Sequence, residues 1–242
     1  MTLTGTRTTS TWTPTWRTRG AYWWIVLTAL AIAVFAPLRY ALNSLGDLAG
    51  NGQEVPVNYV DRATAVQVAF YLHVGFGGLA LLLSPAQFAT RLRVRAPRVH
   101  RTVGRVALAS IAVAGTAGVV LAPLSLAGPV GTVGFGLLAV LWVTFAGTAL
   151  RAVRRGDIEG HRRWAVRTFA LTYAAVTLRL WLAVLIPAQV ALADVSGATA
   201  FHRAYLLVPF LAWVPNLLVA EWYLATRTRH ALAGGGAGRT AD

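Results

Sequence analysis

The chain has no cysteine and no lysine, and only 12% of its 242 residues are charged. Without cysteine there can be no disulfide, no thiolate nucleophile, and no Cys-ligated zinc or iron–sulfur site. That absence leaves the redox compartment open. Also missing are a phosphate-binding glycine loop, a zincin helix and a nucleophile elbow. Acidic residues number eight against 22 basic ones, all of them arginine, for a formal charge of +14. In a soluble protein so basic a balance would point to nucleic acid. What is abundant argues otherwise: 56% of the residues are hydrophobic, and they fall in runs long enough to cross a bilayer core of roughly 30 Å.

These runs predict an all-α, polytopic transmembrane bundle of six helices, over residues 22–42, 64–88, 105–124, 130–150, 164–186 and 202–226. The chain divides into a polar cytoplasmic N-terminal tail (1–20), a six-helix transmembrane domain (21–226) and a flexible cytoplasmic C-terminal tail (227–242). The first apolar run is too long for a signal-peptide core and reads as a retained anchor. Arg91 to Arg105 cluster between the second and third spans, and Arg151 to Arg167 between the fourth and fifth. The two tails carry most of the remaining arginines. Six crossings put all of these segments on one side, and the positive-inside rule makes that side cytoplasmic, with both termini in. On the outer side Arg39, Arg62, Arg179 and Arg203 balance Asp47, Glu54, Asp61 and Asp194. The whole excess charge therefore belongs to the cytoplasmic face. It expresses topology and contact with anionic lipid headgroups rather than nucleic-acid binding. No protein partner is identified by the sequence.

Packing signals are also present. Ser110, Ala114, Gly118 and Ala122 recur at four-residue spacing in the third span, and Gly128, Thr132 and Gly136 do so at the start of the fourth. Small residues in one stripe let helices approach closely in lipid, so these two spans are expected to form the close antiparallel pair. HRTVGRVAL (100–108) and HRRWAVRTFAL (161–171) each place a His-Arg pair at the entrance of a helix, suggesting that spans 2–3 and 4–5 are parallel hairpin repeats. Residues 43–61 form the longest external loop and are placed to cap part of the bundle.

Few polar residues are positioned for chemistry. His73 lies about nine residues into its span, roughly 13 Å below the boundary. It reads as an axial haem ligand, a proton carrier, a quinone partner, or simply a neutral histidine bonded to a neighbouring helix. Gly75, Gly77 and Gly78 beside it leave space for a flat ligand or another helix. His100 and His161 share one level at the cytoplasmic mouths of their helices, as a bis-histidine b-type haem requires. Arg101, Arg162 and Arg179 could hold propionates or another anion. His202 is a shallower outer partner for His73. Arg179 could also pair with Asp194, and Glu221 lies near the cytoplasmic headgroups. Gln87, Tyr173 and Asn216 are candidates for interhelical hydrogen bonds.

The run HVGFGGLALLLSPAQFATRLRVRAPRVHRTVGRVAL, followed by GHRRWAVRTFALTYAAVTLRL, resembles the bacterial membrane proteins grouped as domain of unknown function 2306. The features are an intramembrane histidine before a Pro-x-Gln-Phe stretch (His73, Pro85, Gln87, Phe88), an HR-x-x-GR loop (His100, Arg101, Gly104, Arg105) and an HRRW-x-x-R entrance (His161, Arg162, Arg163, Trp164, Arg167). Arg179 follows on the same helix. The resemblance covers about residues 67–187 and departs at Val106-Ala107, where the family commonly has an aromatic. It implies a multi-pass protein of the bacterial plasma membrane with unassigned activity.

Three readings follow. One is a b-type haem or redox protein using His73, or His100 with His161. Another is a transporter or binding protein for a small or lipidic solute. The last is a non-catalytic membrane scaffold.

Overall fold

The computed structural model describes residues 16–236, and among these every regular element is helical. In chain order they are α1 (Trp16–Leu42), α2 (Leu45–Gly50), α3 (Glu54–Val60), α4 (Thr64–Gln87), α5 (Thr90–Arg95), α6 (Pro97–Leu121), α7 (Gly128–Arg154), α8 (Ile158–Thr172), α9 (Ala174–Ala193), α10 (Gly197–Leu211) and α11 (Val214–Gly236). Six segments are long and apolar enough to cross a membrane: Gly20–Leu42, Thr64–Gln87, Pro97–Leu124, Gly128–Arg154, Ile158–Ala193 and Gly197–Arg227. The fifth comprises α8 and α9, and the sixth α10 and α11. The tail expectations for 1–15 and 237–242 lie outside the described residues.

Several boundaries differ from the sequence reading, each for a local reason. The third span begins at Pro97 rather than near 105, because proline in the first turn has no N–H to leave unbonded. The arginine-rich segment before it is partly ordered as α5. The fifth begins at Ile158, where the Asp157 carboxylate caps the helix by accepting from Gly160 N at 2.7 Å. His100 and His161 therefore sit inside helices, each at the fourth helical position. The α11 helix continues past Arg227, where the sixth span ends, to Gly236. Residues 43–61 fold as α2 and α3, which cover one end of the bundle. A reciprocal capping box between Ser44 and Asp47 starts α2, and these hydrogen bonds hold the Asp47 carboxyl below the usual carboxylate range. Asn58 Nδ2 donates to Leu124 O at 2.7 Å and ties α3 to the turn after α6.

The most extensive helix pairs are α4 with α6 and α7 with α8, the two hairpins that carry the His-Arg pairs. The third and fourth spans also pack closely, as expected, although α4 with α6 is the more extensive pair. The α6 helix lies between α4 and α7, is the most buried span, and divides its small residues between the two neighbours. Gly118 faces both neighbours: a Cβ there would lie 3.2 Å from the His73 ring on α4 and 3.4 Å from Ala139 on α7.

The fifth and sixth spans are each broken midway, at Tyr173 and at Ala212–Trp213. A broken helix strands carbonyls that lipid cannot solvate, so protein groups must satisfy them. The two breaks satisfy each other. Asn216 Nδ2 lies 3.2 Å from Ala170 O, 3.1 Å from Ala212 O and 2.7 Å from Thr177 Oγ1, while Thr177 Oγ1 donates to Ala212 O at 2.7 Å. The Trp213 indole donates to Pro209 O at 2.7 Å. This Trp is buried in the core. Asn216 is thus the interhelical bond former expected of it. Replacing Asn216 by Leu should destabilise the fold by about 1–2 kcal/mol, the scale of intramembrane hydrogen bonds. Thermal unfolding in detergent, compared with the exposed control Leu218→Ala, would read the loss.

Candidate functional site

A cavity of about 720 Å³ lies within the bundle, between the helix breaks and the α2–α3 cap. Its floor is Trp142, Leu171, Thr172 and Ala212, where the Trp142 indole donates to Thr172 Oγ1 at 2.9 Å and closes the space below. Its roof is α3, with Glu54, Pro56 and Tyr59. The walls are mostly apolar and come from α1, α4, α6, α9 and α10.

His73 projects from α4 into this cavity. Its Nδ1 lies 2.9 Å from Ala114 O on α6. A carbonyl can only accept, so Nδ1 carries the proton and the neutral ring turns the Nε2 lone pair to the space beside it. One nitrogen ties two helices, and the residue also lines the cavity. Gly77 and Gly78 line the cavity too, but Gly78 is also where Pro37 of α1 packs, so these glycines serve helix crossing as well.

The polar groups collect toward the capped end. Arg179, for which a pair with Asp194 was one alternative, lines the cavity and donates to Ala175 O, one turn back on its own helix, at 2.6 Å. Neither Arg179 nor Arg39, which also lines the cavity, has a carboxylate within ion-pair distance among the described residues. Tyr40 and Tyr205 lie within electrostatic range of Arg179, and Tyr59 within that of Tyr205. They are positioned by ring contacts: Tyr40 and Tyr59 on Phe70, with centroids 5.0 and 4.8 Å away, and Tyr205 on Phe201 at 5.1 Å. Burial pushes the Tyr59 phenol up, so it stays neutral and able to donate. Glu54 is the cavity's one carboxylate, 3.7 Å from His202 Nε2.

One side of the cavity is bordered by α1 and α9. The α1 and α9 helices meet where Thr28 Oγ1 bonds the Tyr173 hydroxyl at 2.7 Å and Ala29 and Ala33 pack on Val176. Toward the cap both helices line the cavity, with Phe35 and Arg39 from α1 and Leu178, Arg179 and Leu182 from α9. Phe35 is 60% exposed.

The other sequence candidates gather at the opposite, arginine-rich end. His100 and His161 lie within electrostatic range of each other, as their shared level suggested. His161 Nδ1 donates to Ala149 O at 2.9 Å, whereas His100 Nδ1 is buried without a partner. Beside it Gln87 Nε2 is likewise unpartnered, and the Gln87 amide packs on Gly104, where a Cβ would come within 3.0 Å of its oxygen. Neither His100 nor His161 lines the cavity. Arg101 and Arg162 are exposed and make no ion pair among the described residues. Glu221, expected at headgroups, forms a two-pronged pair with Arg167, at 2.5 and 2.8 Å, and Arg167 stacks over Trp164.

This donor set does not fit a bis-histidine haem in the cavity. His73 is the one histidine lining it, and His202 is turned to Glu54 at the roof. Among the described residues no group of three or more His, Cys, Asp or Glu could hold a metal ion.

Fold and cavity define the class: a multi-pass helical membrane protein with an internal, partly polar cavity. The chain belongs to the family described as Predicted membrane protein (DUF2306), whose model matches residues 70–224. The match takes in His73, the HR-x-x-GR and HRRW segments, and Arg179. No curated protein and no solved structure matches the chain.

The His73 contact makes a prediction. His73→Ala should lower stability by about 1–2 kcal/mol through loss of the tie to α6. His73→Gln, able to donate to the same carbonyl, should recover part of it, and thermal unfolding in detergent would compare the two. A Gly118→Val substitution should act like His73→Ala, because its side chain must occupy the space of the imidazole.

Proposed function

We propose that the protein binds a membrane-soluble amphiphile in this cavity, admitting it from the bilayer between α1 and α9. The setting is the bacterial plasma membrane that the family resemblance implies. The arginine-rich end and both termini lie in the cytoplasm, which puts the α2–α3 cap and the polar part of the cavity outside. The observation carrying this reading is the cavity itself: about 720 Å³ of mostly apolar wall, with Arg39, Arg179, Tyr40 and Tyr205 grouped at one end. Ligand cavities have this composition, an apolar body with a few convergent polar groups.

The position of the polar cluster matters more than the wall. A lipid tail moving from the bilayer into an apolar cavity exchanges one hydrocarbon environment for another and gains little. Affinity and selectivity therefore rest on the head, and on His73 Nε2 as the deep hydrogen-bond acceptor. Binding for storage, presentation or transfer is consistent with these features, and none of them supplies a reaction.

The experiment is to purify the protein in mild detergent, extract it, and identify retained molecules by mass spectrometry. Leu178→Trp, which fills the cavity from α9, serves as the comparison. The expected result is one amphiphile held near one-to-one by the wild type and lost at least fivefold in Leu178→Trp at unchanged helicity. Equal retention in both, or none in either, would contradict the reading. An absorption spectrum of the same preparation covers the haem alternative: a Soret band abolished in His73→Ala would replace the amphiphile by a singly ligated haem.

A further inference from the structure

We infer that the head of the ligand is a single negative charge, carried by a lipid phosphodiester, and that Arg39 and Arg179 clamp it. The inference rests on the amphiphile reading and specifies its substrate class.

Charge is the first argument. Two guanidinium groups line the cavity against one carboxylate, Glu54, leaving one positive charge in excess. Cations inside a membrane protein are expensive unless paired, yet neither arginine has a carboxylate within 4 Å among the described residues. Arg179 uses NH1 on a carbonyl of its own helix, which positions the guanidinium and leaves its other donors for a ligand. A monoanion neutralises the excess, whereas a dianion would overshoot it.

Geometry is the second. Arg39 stands on α1 and Arg179 on α9, the two helices that flank the opening, so a head drawn in from the side passes between them. The Tyr40 and Tyr205 hydroxyls make no hydrogen bond to another described residue and lie within electrostatic range of Arg179. Two arginine forks and two phenols offer more donors than a carboxylate's two oxygens need, and they suit a phosphodiester better. The tail then lies along the apolar wall and leaves through the gap toward Phe35 and Leu182.

The test titrates delipidated protein in detergent with phosphatidylglycerol or phosphatidylcholine of identical acyl chains, with bound lipid counted by native mass spectrometry. Wild type should retain phosphatidylglycerol at least tenfold over phosphatidylcholine. Arg179→Gln and Arg39→Gln should bring that ratio near one, and Arg179→Lys should keep most of it. The arginines at the opposite end also attract anionic heads, so Arg98→Gln, exposed and remote from the cavity, is the control and should leave the ratio unchanged. If Arg179→Gln fails to fold, as thermal unfolding would show, Arg39→Gln and Arg179→Lys carry the comparison.

Equal retention of both lipids by wild type, unaltered by the arginine substitutions, would overturn the anionic head while amphiphile binding stands. Failure of the wild type to retain either lipid would overturn both readings. Displacement of phosphatidylglycerol by millimolar inorganic phosphate would make the ligand a soluble anion and would also overturn the lipid assignment.

Discussion

The constraint on which this structure depends is that hydrocarbon solvates no backbone polar group. Two of the six spans are broken in mid-membrane, and each break would strand carbonyls at a cost of several kcal/mol per group. The chain resolves this by placing the breaks side by side. Asn216 and Thr177, one on each broken span, serve Ala170 O and Ala212 O together. Neither span could be broken alone in this way, because each supplies hydrogen bonds the other lacks.

The cavity follows from those breaks. Below them α8 packs closely on α7, and Thr28 and Tyr173 join α1 to the start of α9. Above them α1, α9 and α10 line the space that the α2–α3 cap roofs. Small residues on α6 let His73 be held against Ala114 O, which fixes its ring beside the cavity. The two ends of the molecule then differ in kind. One carries exposed arginines, and the other has two arginines that line the cavity.

Much of the fold was legible in the sequence, because span length and charge asymmetry are properties of contiguous segments. The spans at 64–88 and 130–150 come within a few residues of α4 and α7. The breaks were not legible: Tyr173 and Ala212 bear no signal of their own, since the hydrogen bonds that permit them come from residues distant in sequence. The start of α6 was misplaced because Arg98, Arg101 and Arg105 look like loop, although arginine is a good helix former. For the site, His73 and Arg179 stood out as ionisable residues in apolar runs, and the structure places both in one cavity. Tyr40, Glu54, Tyr59 and Tyr205 did not stand out, because each is unremarkable in its own segment and meets the others through tertiary packing alone. The His100–His161 proximity was readable from level, whereas their separation from His73 required the structure.

The central claim is that the cavity communicates with the bilayer between α1 and α9. The natural absence of cysteine permits a direct measurement, because a single introduced thiol is the only one in the chain. Leu178→Cys on the cavity wall, labelled with a small bimane fluorophore and reconstituted, can be exposed either to lipids brominated on their acyl chains or to aqueous iodide. The account predicts quenching by the brominated lipids to an extent comparable with a label at lipid-facing Leu180, and little quenching by iodide. Quenching by iodide alone would mean that the cavity opens to water and not to lipid, and the lateral route would be wrong.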